Sequence, residues 1–363
     1  MGEDRSVGLA CDPATFELMI SQADVVRLER VARFEWQECD EPSSWDEPPP
    51  YDAASEARLI ALAQRVDGLI VCHGSPRVTR AVMAASPRLR IVGELEGDRF
   101  ARRVDVAAAD ELGVAVVDTT HASSPPVAEW ALALMMIGLR NAGSHFRRMI
   151  AREPPVETPG AYFRDPGFIH GDLTDKTVGL IGCGYIGRRL LQLLEPFHVE
   201  VLVHDPYLPR EMADVFDMTF TSLEQVLSIP DVVVCLVPIT RGTRGMLGAD
   251  QLALLKPGSV FVNVSRGAVV QTDALIARLA VGDVVACLDV FDPEPVPTDS
   301  PILGFSNVFL SPHIAGETRQ TYPRFFTFMV DEFERFFAGH EARSALLPRT
   351  MANRRGEDPA TSR

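Results

Sequence analysis

The sequence predicts an α/β protein of two Rossmann-like, doubly wound parallel-sheet domains, and three observations predict it. The chain has 363 residues, beyond the length at which one hydrophobic core usually stops growing, so two domains are expected. Two series of short apolar, mostly β-branched runs alternate with stretches of helical length. One of those runs leads directly into a Gly-x-Gly-x-x-Gly turn, Gly182 to Gly187, that opens a helical pattern.

Composition narrows the class. Hydrophobic residues make up 46% and charged residues 23%, as in ordinary globular proteins. No segment approaches the roughly 18 uninterrupted apolar residues of a membrane span. The N-terminus reads MGEDRSVGLA before Asp12 and Pro13, without the basic and apolar stretches of a signal peptide, so a cytoplasmic protein is expected. A net charge of −15 repels a polyphosphate backbone, and neither nucleic acid nor membrane is an expected partner. The six cysteines form no CxxC pair, and four lie in apolar runs such as VVVCLVP, which reads as buried free thiols and no metal site.

Taken in order, the first series comprises VDGLIVCHG (66–74), a helical PRVTRAVMAAS, LRIVGE (89–94), a helical VDVAAADELG and VAVVD (114–118). The Pro- and acid-rich stretch from Cys39 to Tyr51 reads as a surface loop. PPVAEWALALMMIGLRN (125–141) opens with prolines suited to a first helical turn and is apolar on nearly every face except at Glu129, so it is expected to be buried on all sides, between two domains. A connector follows at 152–167. The second series is KTVGLIG (176–182), VEVLVHD (199–205), DVVVCLVP (231–238), SVFVNVS (259–265), VVACLDV (284–290) and NVFLSP (307–312), the pattern of a doubly wound sheet. The polar C-terminal stretch from 346 to 363 is expected to be disordered.

The glycine turn carries a cofactor signature. Gly182 permits the tight turn, Gly184 lets a pyrophosphate approach the backbone, and Gly187 brings helix and strand together. The helix start supplies amide donors and positive potential. The next strand ends in Asp205, which can accept hydrogen bonds from an adenosine ribose and would repel the 2′-phosphate of NADP. Pro206, Tyr207 and Leu208 follow with no arginine, so NAD is the expected cofactor.

Three further residues lie after strand ends, where ligands sit in open α/β sheets. Arg266 in NVSRGAVV could grip a carboxylate bidentately and polarise an adjacent carbonyl. Glu294 in DVFDPEP and His313 in SPHIAG would form an acid–base pair if the fold brings them together, the carboxylate stabilising the imidazolium. Taken singly, a solvated arginine or a structural histidine is the ordinary reading; the ordered set after a dinucleotide motif points to hydride and proton transfer.

The stretches KTVGLIGCGYIGR, VPITRGTRGML, NVSRGAVVQTDAL, CLDVFDPEP and NVFLSPHIAGET, from Lys176 to Thr318 and more loosely from Ala54 to Arg140, resemble the D-isomer-specific 2-hydroxyacid dehydrogenases, a group that includes phosphoglycerate dehydrogenase, glyoxylate/hydroxypyruvate reductase and formate dehydrogenase. The resemblance implies that Arg266 binds the substrate carboxylate and carbonyl, that His313 moves the hydroxyl proton and that Glu294 orients and charges His313. It further implies that Asp289 holds the nicotinamide carboxamide, that Tyr185, Ile186, Pro238 and Thr243 line the cofactor, and that Ser75, Gly93 and Glu94 meet the substrate. By the same resemblance, residues 1–120 and 320–345 form a discontinuous substrate domain, and residues 121–319 form the NAD-binding domain. The helix near Pro126 would serve as a dimer and interdomain element, giving a homodimer acting on a 2-hydroxy or 2-oxo acid. A dinucleotide-sensing, corepressor-like interaction protein is the alternative, since such proteins resemble the same family.

One departure concerns the substrate. The family's short glycine-rich loop is here GELEGDRFARRVD (93–105), about two residues longer, with Glu94, Glu96 and Asp98; the segment DTTHASSPPVAE (118–129) is altered too. A substrate carboxylate ~5 Å from one unpaired acid would suffer about 3 kcal/mol of repulsion at an effective dielectric of ~20. The acids must therefore point away, be neutralised by Arg99, Arg102 or Arg103, or bind hydroxyl or amino groups of a larger polar acid. In the last case glyoxylate and pyruvate would be poor substrates.

Overall fold

The computed structural model describes residues 5–42, 49–153 and 171–355. The chain divides into two compact units, Met1–Ser123 with Thr318–Arg363, and Ser124–Glu317. Most of the 152–167 connector and the middle of the Cys39–Tyr51 loop lie outside the described residues.

The first unit is a five-stranded, all-parallel sheet: β1 (Ser6–Cys11), β2 (Arg33–Glu38), β3 (Gly68–Val71), β4 (Ile91–Glu94) and β5 (Ala115–Asp118), in the order β2-β1-β3-β4-β5. Side chains alternate across the pleat. Val7, Leu9, Ile70 and Ile91 face one cluster, while Leu69, Val71 and Val92 face another with Leu59 and Leu62 of the helix Ala53–Ala63. The first cluster is closed by the C-terminal helix Thr321–Phe337, whose Phe325, Phe326, Met329, Val330 and Phe333 recur at helical spacing and are all buried. Strands β1 and β2 were not among the sequence expectations. β1 is a six-residue apolar run near the chain start, and β2 is a half-exposed edge strand whose RFEWQE carries too few apolar residues to stand out.

The tail expectation is corrected in part. Leu346 donates its amide to the Val116 carbonyl at 2.8 Å, and a helix spans Pro348–Arg355. Leu346 and Met351 sit in the cluster with Val106 and Ala108 and Ala352 is buried as well, so three apolar side chains outweigh a polar composition. Residues 356–363 lie outside the described residues.

The second unit is a seven-stranded parallel sheet: β6 (Thr177–Ile181), β7 (Glu200–His204), β8 (Thr219–Phe220), β9 (Val232–Cys235), β10 (Val260–Asn263), β11 (Val285–Leu288) and β12 (Val308–Leu310), in the order β12-β11-β10-β9-β6-β7-β8. The order reverses between β6 and β9, a topological switch point. The helix Ser124–Leu139 covers one face with the helix Tyr185–Leu194; Val127, Ala131, Leu134, Met135 and Leu139 join Val178, Val234 and Val262. It is not buried all round: Glu129 is exposed and Leu132, Met136 and Ile137 are half-buried. Val226, Leu227, Leu275 and Leu279 cover the other face. Among the described residues no helix is long and apolar enough to cross a membrane, and no group of three His, Cys, Asp or Glu is placed to hold a metal. All six cysteines are buried free thiols; burial pushes that of Cys11 up to about 12.

The C-terminal helix is thus core to the N-terminal sheet. Phe333→Ala, which empties a fully buried ring site, is expected to cost ~3–5 kcal/mol, read as a lowered urea midpoint. A loss under ~1 kcal/mol would show that this helix merely lies against the sheet.

Candidate active site

The glycine turn follows β6 and opens the helix Tyr185–Leu194. Gly182 has φ 85°, a conformation L side chains rarely adopt, and its amide donates to the His204 carbonyl at 2.9 Å. A Cβ at Gly184 would meet nothing within 4 Å, and Gly184 starts the helix without a side-chain cap hydrogen bond. A Cβ at Gly187 would lie 3.0 Å from Cys183 Sγ, where helix and strand pack. Asp205, just past β7, accepts from the amides of Cys183 (2.8 Å), Tyr207 (2.9 Å) and Leu208 (3.1 Å). It latches the turn in place. This donor set fits a dinucleotide: a side-chain-free approach, a positive helix end and an acid at the neighbouring strand end. Beyond β9, the Thr243 hydroxyl donates to the Pro238 carbonyl at 2.6 Å, closing a compact turn.

The remaining residues follow the next three strands. Arg266 sits two residues beyond Val264 on a turn held by Asn263, whose Oδ1 accepts from the Ser265 amide (3.1 Å) and hydroxyl (2.9 Å). Its guanidinium donates to the Ser265 carbonyl at 2.7 Å. A Cβ at Gly267 would lie 1.9 Å from the Phe291 carbonyl, so the Arg266 turn presses backbone to backbone on the loop that carries Glu294. The fold joins Glu294 and His313: Nδ1 lies 2.7 Å from Oε1, with both side chains about one-third exposed (35% and 34%). A carboxylate only accepts, so Nδ1 carries the proton and Nε2 is the nitrogen that gains or releases another.

Asp289 directly follows β11. It is fully buried, and its carboxylate accepts from the Ser311 hydroxyl and from the amides of Ile314 (3.1 Å) and Ala315 (2.9 Å). Its oxygens thus gather donors of the loop that carries His313.

In the first unit, the three residues expected to meet substrate are buried. Ser75 is fully buried with its hydroxyl on the Pro76 carbonyl at 2.9 Å. Gly93 is buried where a Cβ would lie 2.3 Å from Met329 Sδ, so it serves packing. Glu94 is buried and accepts from Arg103, through the amide (3.0 Å) and guanidinium (3.1 Å). Arg103 also donates to His73 Nδ1 at 3.0 Å, which leaves the His73 proton on Nε2, 3.0 Å from Glu96 Oε2. Asp98 lies 3.6 Å from Arg102. All three acids are met by partners within the loop or on His73. Asp98 meets Arg102 and Glu94 meets Arg103, as the neutralisation alternative expects, whereas Glu96 meets His73.

Comparison with known proteins agrees with this geometry. The model of the D-isomer specific 2-hydroxyacid dehydrogenase NAD-binding domain matches residues 132–315, half of the chain. The chain belongs to the D-isomer-specific 2-hydroxyacid dehydrogenases. A glyoxylate reductase of Aeropyrum pernix is 30% identical over 321 residues, covering 85% of this chain and 89% of that protein. A glyoxylate/hydroxypyruvate reductase B of Salmonella heidelberg is 33% identical over 274 residues, covering 75% and 81%. The crystal structure of a phosphoglycerate oxidoreductase from Rhizobium etli shares the fold, with TM-score 0.78 at 21% identity over 94% and 97% of the two chains. As a member of this dehydrogenase family the chain is an NAD-dependent oxidoreductase acting on the hydroxyl of 2-hydroxy acids. The corepressor-like alternative is set aside, since the relatives are reductases and dehydrogenases.

Sequence reasoning missed the residues that hold this dehydrogenase's loops. Asn263, Ser311 and Trp130 are buried or half-buried polar side chains at strand ends or on an apolar helix, and a polar residue inside an apolar run was the signal available. Glu94 has the clearest solution signature. Burial pushes its carboxyl up to about 8 against the pull of Arg103, and Oε2 has no hydrogen-bond partner among the described residues. An unfolded glutamate releases its proton near ~4.3. Between these values the folded chain holds a proton the unfolded chain has lost, so this contribution is full below pH ~4 and is lost as pH rises to about 8. Urea midpoints of the wild type should fall from pH 6 to pH 8, by on the order of 1 kcal/mol per pH unit in stability, with a flatter slope in Glu94→Gln. Equal slopes in the two proteins would remove Glu94 from this role.

Proposed function

We propose that this dehydrogenase interconverts small 2-oxo acids, of the glyoxylate and hydroxypyruvate class, with their 2-hydroxy acids, working in the cytoplasm as a homodimer. The observation that carries the reading is the 2.7 Å contact between His313 Nδ1 and Glu294 Oε1, which leaves Nε2 as the proton-transfer atom. Arg266 binds the substrate carboxylate and polarises the adjacent carbonyl. His313 then delivers the proton to the carbonyl oxygen in reduction and removes it from the hydroxyl in oxidation. Glu294 keeps the imidazole oriented through its contact with Nδ1. NAD, when bound, supplies the hydride chemistry at the substrate C2. Gly182, Gly184, Tyr185, Ile186 and Gly187 hold its pyrophosphate, Asp205 its ribose, and Pro238 and Thr243 line it. The paired acids of the 93–105 loop support small acids as substrates, and the names of the Aeropyrum and Salmonella relatives point the same way.

The homodimer is supported by the helix Ala142–Ile150, where Phe146, Met149 and Ile150 share one face and are 63%, 77% and 70% exposed. A second copy of the chain is the occupant we assign to it. Sedimentation should give twice the monomer mass, and Met149→Asp should shift it toward the monomer; a wild-type monomer at micromolar concentration would overturn this part.

Turnover is read from nicotinamide absorbance with glyoxylate, hydroxypyruvate and pyruvate. His313→Gln is expected to lower kcat on the order of 10²–10⁴-fold and Glu294→Gln less, both with NADH affinity retained. Asp205→Ala should weaken NAD by one to two decades, since it loses ribose hydrogen bonds of roughly 1.5–3 kcal/mol as well as the latch on Cys183. Absence of turnover on a broad 2-oxo acid panel would count against the substrate reading, and full activity in His313→Gln against the assigned proton donor.

A further inference from the structure

His313 stands in a backbone conformation that side chains rarely adopt, with φ 53°. Something must hold it there. Its amide donates to the carbonyls of Asp289 (2.8 Å) and Ser311 (3.0 Å), while the Asp289 carboxylate takes the amides of the two residues that follow, Ile314 and Ala315. The residue two positions before His313 closes the ring, because the Ser311 hydroxyl donates to the same Asp289 oxygen that receives the Ile314 amide.

The hydroxyl has one proton, and a carboxylate cannot donate, so Ser311 must give that proton to Asp289. Its oxygen is then left to accept, and Trp130 Nε1–H on the helix Ser124–Leu139 fills that place at 3.2 Å. The direction of the whole chain is fixed: indole to hydroxyl to carboxylate, with the carboxylate clamping the turn on both sides of His313. Ser311 and Asp289 are both buried, 5% and 0% exposed, so water cannot readily substitute for a lost donor.

We propose that Ser311, oriented by Trp130, is a positioning residue for the proton-transfer histidine: through Asp289 it fixes where the His313 imidazole stands, touching neither substrate nor cofactor. This rests on the reading of His313 given above. The apolar helix therefore contributes to the chemistry through one N–H, a role its composition does not announce.

The test compares kcat and NADH affinity in Ser311→Ala, Ser311→Thr, Trp130→Phe and the double variant Trp130→Phe/Ser311→Ala, with His313→Gln as reference. Ser311→Ala should lower kcat between about tenfold and a hundredfold, as a displaced catalytic group does, and leave the NADH dissociation constant within about twofold. Ser311→Thr, which keeps the hydroxyl, should recover most of kcat. Trp130→Phe keeps a ring and loses the N–H, and should cost roughly threefold. The double variant should match Ser311→Ala alone, because the indole acts only through the hydroxyl. The proposal is overturned by wild-type kcat in Ser311→Ala, by a parallel loss of NADH affinity, by no recovery in Ser311→Thr, or by additive losses in the double variant. If Ser311→Ala fails to fold, Trp130→Phe decides: a kcat loss at unchanged NADH affinity upholds the chain and an unchanged kcat overturns it. Full activity in His313→Gln would instead defeat the reading of His313, so the two failures are distinguishable.

Discussion

A parallel sheet covered on both faces can meet a ligand only beyond the ends of its strands, and the chemistry of the unit Ser124–Glu317 follows from that constraint. Its strand interiors are wholly apolar, from Val178 and Leu180 through Val260 and Val262 to Ala286. The candidate site residues gather where the backbone leaves the sheet: Gly182 after β6, Asp205 after β7, Arg266 after β10, Glu294 after β11 and His313 after β12. Those exits are loops, and loops need internal hydrogen bonds to stand still. Asp205, Asn263 and Asp289 meet the need in the same way, each a short acceptor side chain at a strand end that gathers amides or hydroxyls of its own or a neighbouring strand's turn.

The same economy explains the acidic loop of the first unit. Glu94 ends β4 inside the fold, where an unpaired charge would be costly, and Arg103 is buried with it. Nearby, Asp118 at the end of β5 accepts from the amides of Arg99 and Thr120, and burial raises its carboxyl too. Asp98, Arg99 and Ala101 all have positive φ, so the loop is threaded through an unfavourable path by these buried acceptors. A net charge of −15 thus says little about this region, since its acids are matched locally.

Much of the architecture was legible in the sequence. The six apolar runs of the second series each contain a strand, because strands buried on both faces must be continuously apolar. The glycine turn, the acid after it and the order Arg266, Glu294, His313 were readable for a related reason: short segments at strand ends keep their chemistry in sequence. The two-residue β8 and the edge strand β2 were not, since too little of either is buried to impose a pattern. The tail helix Pro348–Arg355 was hidden because its buried apolar residues, Met351 and Ala352, are too few to impose a pattern.

By itself the sequence determined the layered α/β class and the glycine turn, and it singled out Glu294 and His313 as candidates, all of which depend on local periodicity and residue type. Only the tertiary structure decided which charges meet. Glu94 and Arg103 pair across a loop, Glu294 reaches His313 across 19 positions, and Asp289 turns inward to Ser311. An acid in a sequence is only a charge; whether it faces solvent, a ligand or a buried donor is set by distances that arise when distant segments pack, and electrostatic and hydrogen-bond energies depend on those distances.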